Sequence, residues 1–213
     1  MPATQTSFAD DLAHKLGDIP MSRIILDPWP GTATEEDLLH FVERDRLCEL
    51  VDGTLVEKPV GYEESLIAKA IAFALETFVR PRKLGIVAGP DATLRLASGT
   101  IRLPDVSFVS VADLPGGKRP KVKVPRLPIS LAIEVISEGN TRPEMRRKSR
   151  EYFESGSRLV WLVYPKTKTV AVFDQPSEEP SRILNDGESI DGGSVLPGFS
   201  MTLSDIFKVS DFE

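Results

Sequence analysis

Apolar positions along this chain recur with two different periods, and the switches between them mark its elements. Thr34-Glu35-Glu36-Asp37 has the form of a capping box ahead of Leu38, Phe41 and Val42, which predicts a short helix to about residue 46. Residues 48–57 are two short alternating runs about Asp52-Gly53, a dipeptide suited to the positive φ angles of a type I′ turn, and predict a hairpin. Across residues 62–79, Leu66, Ile67, Ala70, Ile71, Ala74, Leu75 and Phe78 return at helical spacing, with Pro81 expected to end the helix. Residues 85–88, 93–96 and 105–110 read as strands, with Ser98-Gly99 turning between the second and third and Pro104 at a strand start, where its missing N–H is tolerated.

The second half is more continuous. Residues 129–137, 158–164 and 169–173 are short, almost wholly apolar runs, and residues 141–155 between the first two show a helical period with Met145, Ser149, Tyr152 and Phe153 on one face. A strand, a helix and a second apolar strand predict a crossover and a parallel pair in a sheet covered on both faces, so the fold class is α/β. Short strands about residues 183–184 and 189–190 and a short helix over 203–207 complete the reading. Residues 1–30, with Pro20, Pro28, Pro30 and little periodicity, are expected to be a tail of uncertain order before a single domain over 31–213.

With 213 residues the chain can bury a full core, and no apolar run approaches the roughly 20 residues that cross a bilayer. Acidic residues early in the chain and a single cysteine, Cys48, lead to the expectation of an unexported, cytoplasmic protein without an internal disulfide or a thiolate metal cage. The net charge of −6 argues at first against a nucleic-acid partner. Its distribution changes that picture. Lys118, Arg119, Lys121, Lys123 and Arg126 form one basic stretch, and Arg142, Arg146, Arg147, Lys148 and Arg150 a second, and the two flank the apolar run at 129–137. Each alone also fits a solvated loop or helix face.

Two carboxylates stand out against their apolar surroundings. Glu134 lies in the middle of a buried-strand pattern, where an ionised side chain costs several kcal/mol unless a cation, a metal or hydrogen-bond donors compensate it. Asp105 follows Pro104 at the start of another strand. On the long helix Glu63 and Glu64 project on or beside the apolar stripe, although acids in a first turn also answer the helix dipole. Lys148 falls on the flank of its helix's inner face, within reach of the sheet or snorkelling to solvent. A helix acid, a strand Asp, a strand Glu and a nearby Lys suit Mg²⁺ or Mn²⁺ chemistry on a phosphate, because such cations take oxygen ligands and keep several waters.

These residues carry a resemblance. Pro104-Asp105, Glu134-Val135-Ile136-Ser137, Asn140-Thr141, Glu144-Met145, Lys148, Glu151-Tyr152, Gly156 and Val160-Trp161-Leu162-Val163 are similar to the putative restriction endonuclease family of the PD-(D/E)XK nuclease superfamily. Glu49-Leu50-Val51-Asp52-Gly53 and Leu196-Pro197-Gly198-Phe199 resemble that family's N- and C-terminal signatures. The resemblance implies a restriction-endonuclease-like fold, a central mixed sheet flanked by helices with an N-terminal helix and hairpin. It implies an endonuclease acting on DNA with Mg²⁺ or Mn²⁺, and a homodimer. Asp105 and Glu134 would bind metal, assisted by Glu64 (or Glu63) and the Ile136 backbone carbonyl. Ile136 stands where the superfamily's usual lysine would be, and the family pattern moves that role to Lys148. Lys118, Arg119, Lys121, Lys123, Arg126, Arg146 and Arg147 would grip phosphates.

Ile136 and the acidic net charge also suit an inactive nucleic-acid-binding or interaction module that keeps the fold. His14 and His40 are the only histidines, both far in sequence from the carboxylates, and no Walker-type loop is present, so a zinc hydrolase, a Ser-His triad and an ATPase all lack their parts.

Overall fold

A computed structural model describes residues 7–208. The chain opens with α1 (Phe8–Lys15) and a 3₁₀ turn at Met21–Arg23, then α2 (Glu35–Val42) and the hairpin β1 (Cys48–Val51) and β2 (Thr54–Glu57). Next come α3 (Tyr62–Arg82), β3 (Gly85–Ala88), β4 (Leu94–Arg95), β5 (Ile101–Arg102) and β6 (Val106–Ser110). After a long loop follow β7 (Leu131–Val135), α4 (Arg142–Glu154), β8 (Leu159–Tyr164), β9 (Thr169–Phe173) and β10 (Arg182–Leu184). The chain closes with β11 (Ser189–Gly192), β12 (Leu196–Thr202) and α5 (Leu203–Phe207).

Six strands form the central mixed sheet in the order β10-β9-β8-β7-β6-β3, in which β7 and β8 are the parallel pair and the other neighbours are antiparallel. Strand alternation splits β7 cleanly. Leu131, Ile133 and Val135 join the core under α3, β12 and α5, while Ala132 belongs to the core under α4. Glu134 follows Ala132 in that alternation and therefore points to the α4 side. A second, four-stranded sheet, β2-β1-β5-β4, lies beyond α4 and is covered by α2 through Leu38, Cys48, Leu50, Leu55 and Ile101. Thr34 and Asp37 make the expected capping box, and Asp52 and Gly53 take the positive φ angles of the expected turn.

Three expectations are corrected. The long helix runs on to Arg82 with Pro81 inside its last turn, where a proline costs one hydrogen bond, and the chain leaves through Lys83 at φ 56°. Strand β5 is an addition to the expected elements: with two residues it is too short to show a period, and it exists through its pairing with β1 and β4. Residues 7–30 are built into the fold rather than trailing from it. Ser7 and Asp10 form a capping box on α1, and Leu16, Ile19 and Ile24 pack on Val51 and Val56 of the hairpin. The apolar spacing there is too irregular to show a period, because each residue fills a separate gap on a surface made by the rest of the chain. No helix among the described residues is long and apolar enough to cross a membrane.

Candidate active site

Helix α4 buries an inner face that is largely charged. Its register brings Glu144, Lys148, Glu151 and Tyr152 to one side, since residues three and four apart share a face. One flank meets the central sheet and the other meets the hairpin sheet. Pro104 ends β5's continuation and places Asp105 at the head of β6, level with the end of β7, where the Val135 N–H donates to its Oδ2 at 2.6 Å.

Glu134 is buried and has found compensation. Lys148 Nζ lies 3.2 Å from its Oε1 and 3.3 Å from Oε2, and the Tyr152 hydroxyl donates to Oε1. Lys148 also lies 3.0 Å from Glu49 Oε1 and is 1% exposed, so it neither snorkels nor faces solvent. Glu49 in turn accepts Arg102 Nη1 at 2.7 Å and the Leu103 N–H at 3.1 Å. Arg102 reaches on to Glu151 at 2.7 Å, and Glu151 to Arg147 at 2.7 Å. On the far side Arg23 grips Glu144 with two nitrogens at 2.7 and 2.9 Å. Lys58, just after β2, lies 2.8 Å from Asp105 Oδ1 and donates to the carbonyls of Leu103 and Pro90. Setting aside the exposed Asp52, which also meets Arg147, five acids (Glu49, Asp105, Glu134, Glu144, Glu151) thus meet five bases (Arg23, Lys58, Arg102, Arg147, Lys148), and this inner set is balanced when all are ionised.

The electrostatics follow from this layout. Burial raises the Glu134 pKa against the pull of Lys148, and the nearby charges of Asp105 and Glu49 raise it further. Glu49 is equally buried, but Lys148 and Arg102 outweigh that cost and hold its carboxyl far below the usual range. Burial disfavours the Lys148 ammonium, yet Glu134 and Glu49 overcome it and hold the lysine protonated. Tyr152, its phenol pushed up by burial and by the charge of Glu134, stays a donor.

Of the residues singled out in the sequence, Asp105, Glu134 and Lys148 meet here. Glu64 is half-buried and folds back over Gly61 at the start of α3, while Glu63 is exposed. The Ile136 N–H donates to the Val163 carbonyl, and the donor that a parallel ladder would set opposite the Ile136 carbonyl belongs to Pro165, which has none. The basic loop 111–130 leaves the Ser110 end of β6 and re-enters at Leu131, the strand ends opposite Asp105 and Val135. Lys118, Arg119, Lys121 and Arg126 are exposed on it, and Lys123 pairs with Glu43. Arg146 pairs with Glu178 and Glu179, and Arg147 with Asp52 and Glu151. Sequence reasoning missed Lys58, Arg102 and Arg23 entirely. The available signal was a charged residue inside an apolar pair, Ile101-Arg102-Leu103.

Among the described residues no group of three or more His, Cys, Asp and Glu could by itself hold a metal ion. Asp105 and Glu134 nonetheless offer hard oxygens close enough for each charge to act on the other, and Asp105 already holds a cation in the Lys58 ammonium. That set fits Mg²⁺, which needs one or two carboxylates and takes the rest of its shell from water and phosphate.

The model of a family described as putative restriction endonuclease, Uma2, matches residues 35–204. The chain belongs to the Uma2 family. Among solved structures, a crystal structure described as a putative nuclease belonging to DUF820 from Anabaena variabilis ATCC 29413 superposes with a TM-score of 0.68 at 16% identity, covering 82% of this chain and 97% of that one. The Uma2 chain therefore has the restriction-endonuclease-like fold. No curated protein matches it. The Uma2 match takes in Glu49, Lys58, Arg102, Asp105, Glu134 and all of α4, and only Arg23 of the network lies before it.

Proposed function

We propose that this chain is a Mg²⁺- or Mn²⁺-dependent endonuclease that hydrolyses DNA phosphodiester bonds where the start of β6 meets the end of β7. The observation that carries the reading is the meeting of Asp105 and Glu134 with Lys148 locked onto Glu134. Asp105, Glu134 and the Ile136 carbonyl would hold the cation, and Glu64 on α3 would join them by swinging away from Gly61. Bound there, the metal supplies Lewis acidity toward the scissile phosphate and its attacking water. Lys148 and Tyr152 fix the Glu134 carboxylate and favour its anionic form against burial. Arg102 and Glu49 fix Lys148 in turn. Lys118, Arg119, Lys121 and Arg126 would hold phosphates of a duplex that extends from the site along the sheet, a span of about 17 Å for a five-residue strand. Two copies would act together where both strands are cut.

The test is cleavage of supercoiled plasmid by the purified protein with Mg²⁺ or Mn²⁺, beside Glu134→Ala. The expected result is metal-dependent nicking or linearisation that the variant loses while it stays folded; unchanged cleavage by Glu134→Ala overturns the reading. Ile136 at the superfamily's lysine position favours a second reading, a DNA-binding module without catalysis. Under it the metal leaves the melting temperature unchanged, whereas a true site raises it by mass action.

A further inference from the structure

Lys148 is a poor candidate for contact with substrate. Its ammonium lies within hydrogen-bonding distance of two carboxylates, Glu49 and Glu134, and the side chain is 1% exposed. Lys58 is placed differently. Two of its three donors go to neutral main-chain carbonyls, Leu103 at 2.6 Å and Pro90 at 3.2 Å, which tether the ammonium without cancelling its charge. The ammonium also lies 2.8 Å from Asp105 Oδ1, its only ion-pair partner among the described residues. Asp105 is also the most open acid of the network, with its side chain 15% exposed against 4% for Glu134 and 1% for Glu49. Lys58 itself is buried, its side chain 4% exposed, so at this end of the network it is Asp105 that meets solvent, with the Lys58 ammonium directly behind it.

We propose, resting on the nuclease reading above, that Lys58 is the catalytic lysine of this site and binds a non-bridging oxygen of the scissile phosphate once Asp105 is engaged by the divalent cation. Lys148 is then a positioning residue for Glu134. With Asp105 drawn to the cation, Lys58 is left as a tethered charge without a counter-ion, the condition in which an ammonium takes a phosphate oxygen. In the hydrolysis a bond forms between the water oxygen and phosphorus, the bond from phosphorus to the leaving sugar oxygen breaks with its electron pair, and that oxygen takes up the proton released by the water. Lys58 supplies charge against the phosphate oxygens and exchanges no heavy atom.

The experiment compares wild type with Lys58→Met and Lys58→Cys, the last with and without alkylation by 2-bromoethylamine, which restores an ammonium at nearly the lysine length. Cys48 is fully buried and its thiol is pushed up to about 11 by that burial, which slows its reaction; position 58 is 7% exposed, so a single alkylation at residue 58 is verified by peptide mass spectrometry before cleavage is read. Plasmid cleavage and Mn²⁺ binding by electron paramagnetic resonance are read together. Expected are a roughly 100-fold slower cleavage in Lys58→Met and in unmodified Lys58→Cys, recovery of most of it on alkylation, and Mn²⁺ binding by Lys58→Met at least as tight as wild type because no ammonium competes for Asp105. Cleavage by Lys58→Met within about threefold of a cleaving wild type overturns the assignment alone. Joint loss of cleavage and Mn²⁺ binding also overturns it, since Lys58 would then only hold the site together. A wild type that neither binds Mn²⁺ nor cleaves removes the nuclease reading and Lys58 with it.

Discussion

Lys148 and Glu49 are buried against each other with 3.0 Å between Nζ and Oε1, both side chains 1% exposed. One belongs to the helix behind the central sheet and the other to the hairpin sheet, so this pair ties the two sheets through a single ammonium. Such pairs are costly to break from one side, because the remaining charge is left buried. Glu49→Gln is expected to lower unfolding free energy by about 3 kcal/mol in urea titration. Lys148→Met also strands Glu134, so it destabilises either chain, but its cost is expected to be smaller in the Glu49→Gln chain than in wild type, giving a coupling above about 1 kcal/mol in the double-mutant cycle. Strict additivity would mean the two side chains act independently.

The Arg23 grip on Glu144 has a pH signature. Burial opposes ionisation of Glu144, but the hydrogen bonds from Arg23 and the charges of Lys148 and Arg23 hold its carboxyl below the ordinary 4.5. A carboxyl whose folded value is depressed contributes stability above its unfolded value and loses it as pH falls through the folded one. Wild type should therefore exceed Glu144→Gln by about 3 kcal/mol at neutral pH, with the gap closing as pH drops below the ordinary carboxyl value of 4.5. A gap independent of pH would place the difference in packing rather than charge.

Gly17 shows how closely the first segment lies on α4. It has φ +100°, and a Cβ there would come within 2.7 Å of Glu144 Cα and 2.8 Å of its nitrogen, while the Thr141 hydroxyl donates to the Gly17 carbonyl. Gly17→Ala should cost about 2 kcal/mol or more in chemical denaturation. Gly187→Ala is the control: φ +88° carries similar backbone strain, but nothing lies within 4 Å of its Cβ. Equal losses would remove the clash from the account.

The exposed loop basics are testable without reference to catalysis. Replacing Lys118, Arg119 and Lys121 together by Gln should weaken DNA binding across sequences and reduce the salt slope by about 0.9 for each phosphate no longer neutralised. An unchanged slope, measured by fluorescence anisotropy between low and physiological salt, would take this loop off the DNA path.

The sequence makes Glu134 and Asp105 visible because each breaks an apolar run, and it makes α4 visible through its period and its Thr141 cap. Glu49 and Arg102 are harder to see, since a polar residue in a short strand reads as facing solvent. Their burial arises only when the hairpin sheet closes on α4, a contact between segments far apart in the chain. Lys58 follows a strand end, where lysine is ordinary, and only Asp105 in three dimensions gives it meaning. Residues 7–30 escape the sequence for the same reason, residues 1–6 lying outside the described part: Leu16, Ile19 and Ile24 are spaced to fit a surface that the later chain builds.

A helix resting on aliphatic side chains can turn or slide by a fraction of a residue at little cost, because dispersion is undirected. The inner face of α4 offers no such tolerance. Glu144, Lys148 and Glu151 each find their partners at one azimuth and one height, so any rotation strands several charges at once. The helix works as a keyed shaft: the sheet sets Asp105 beside β7, and the aim of the Glu134 carboxylate depends on where Lys148 and Tyr152 engage. Damage to a tooth far from the carboxylates, such as Arg23, should therefore be felt first as play in the chemistry and only then as loss of the fold.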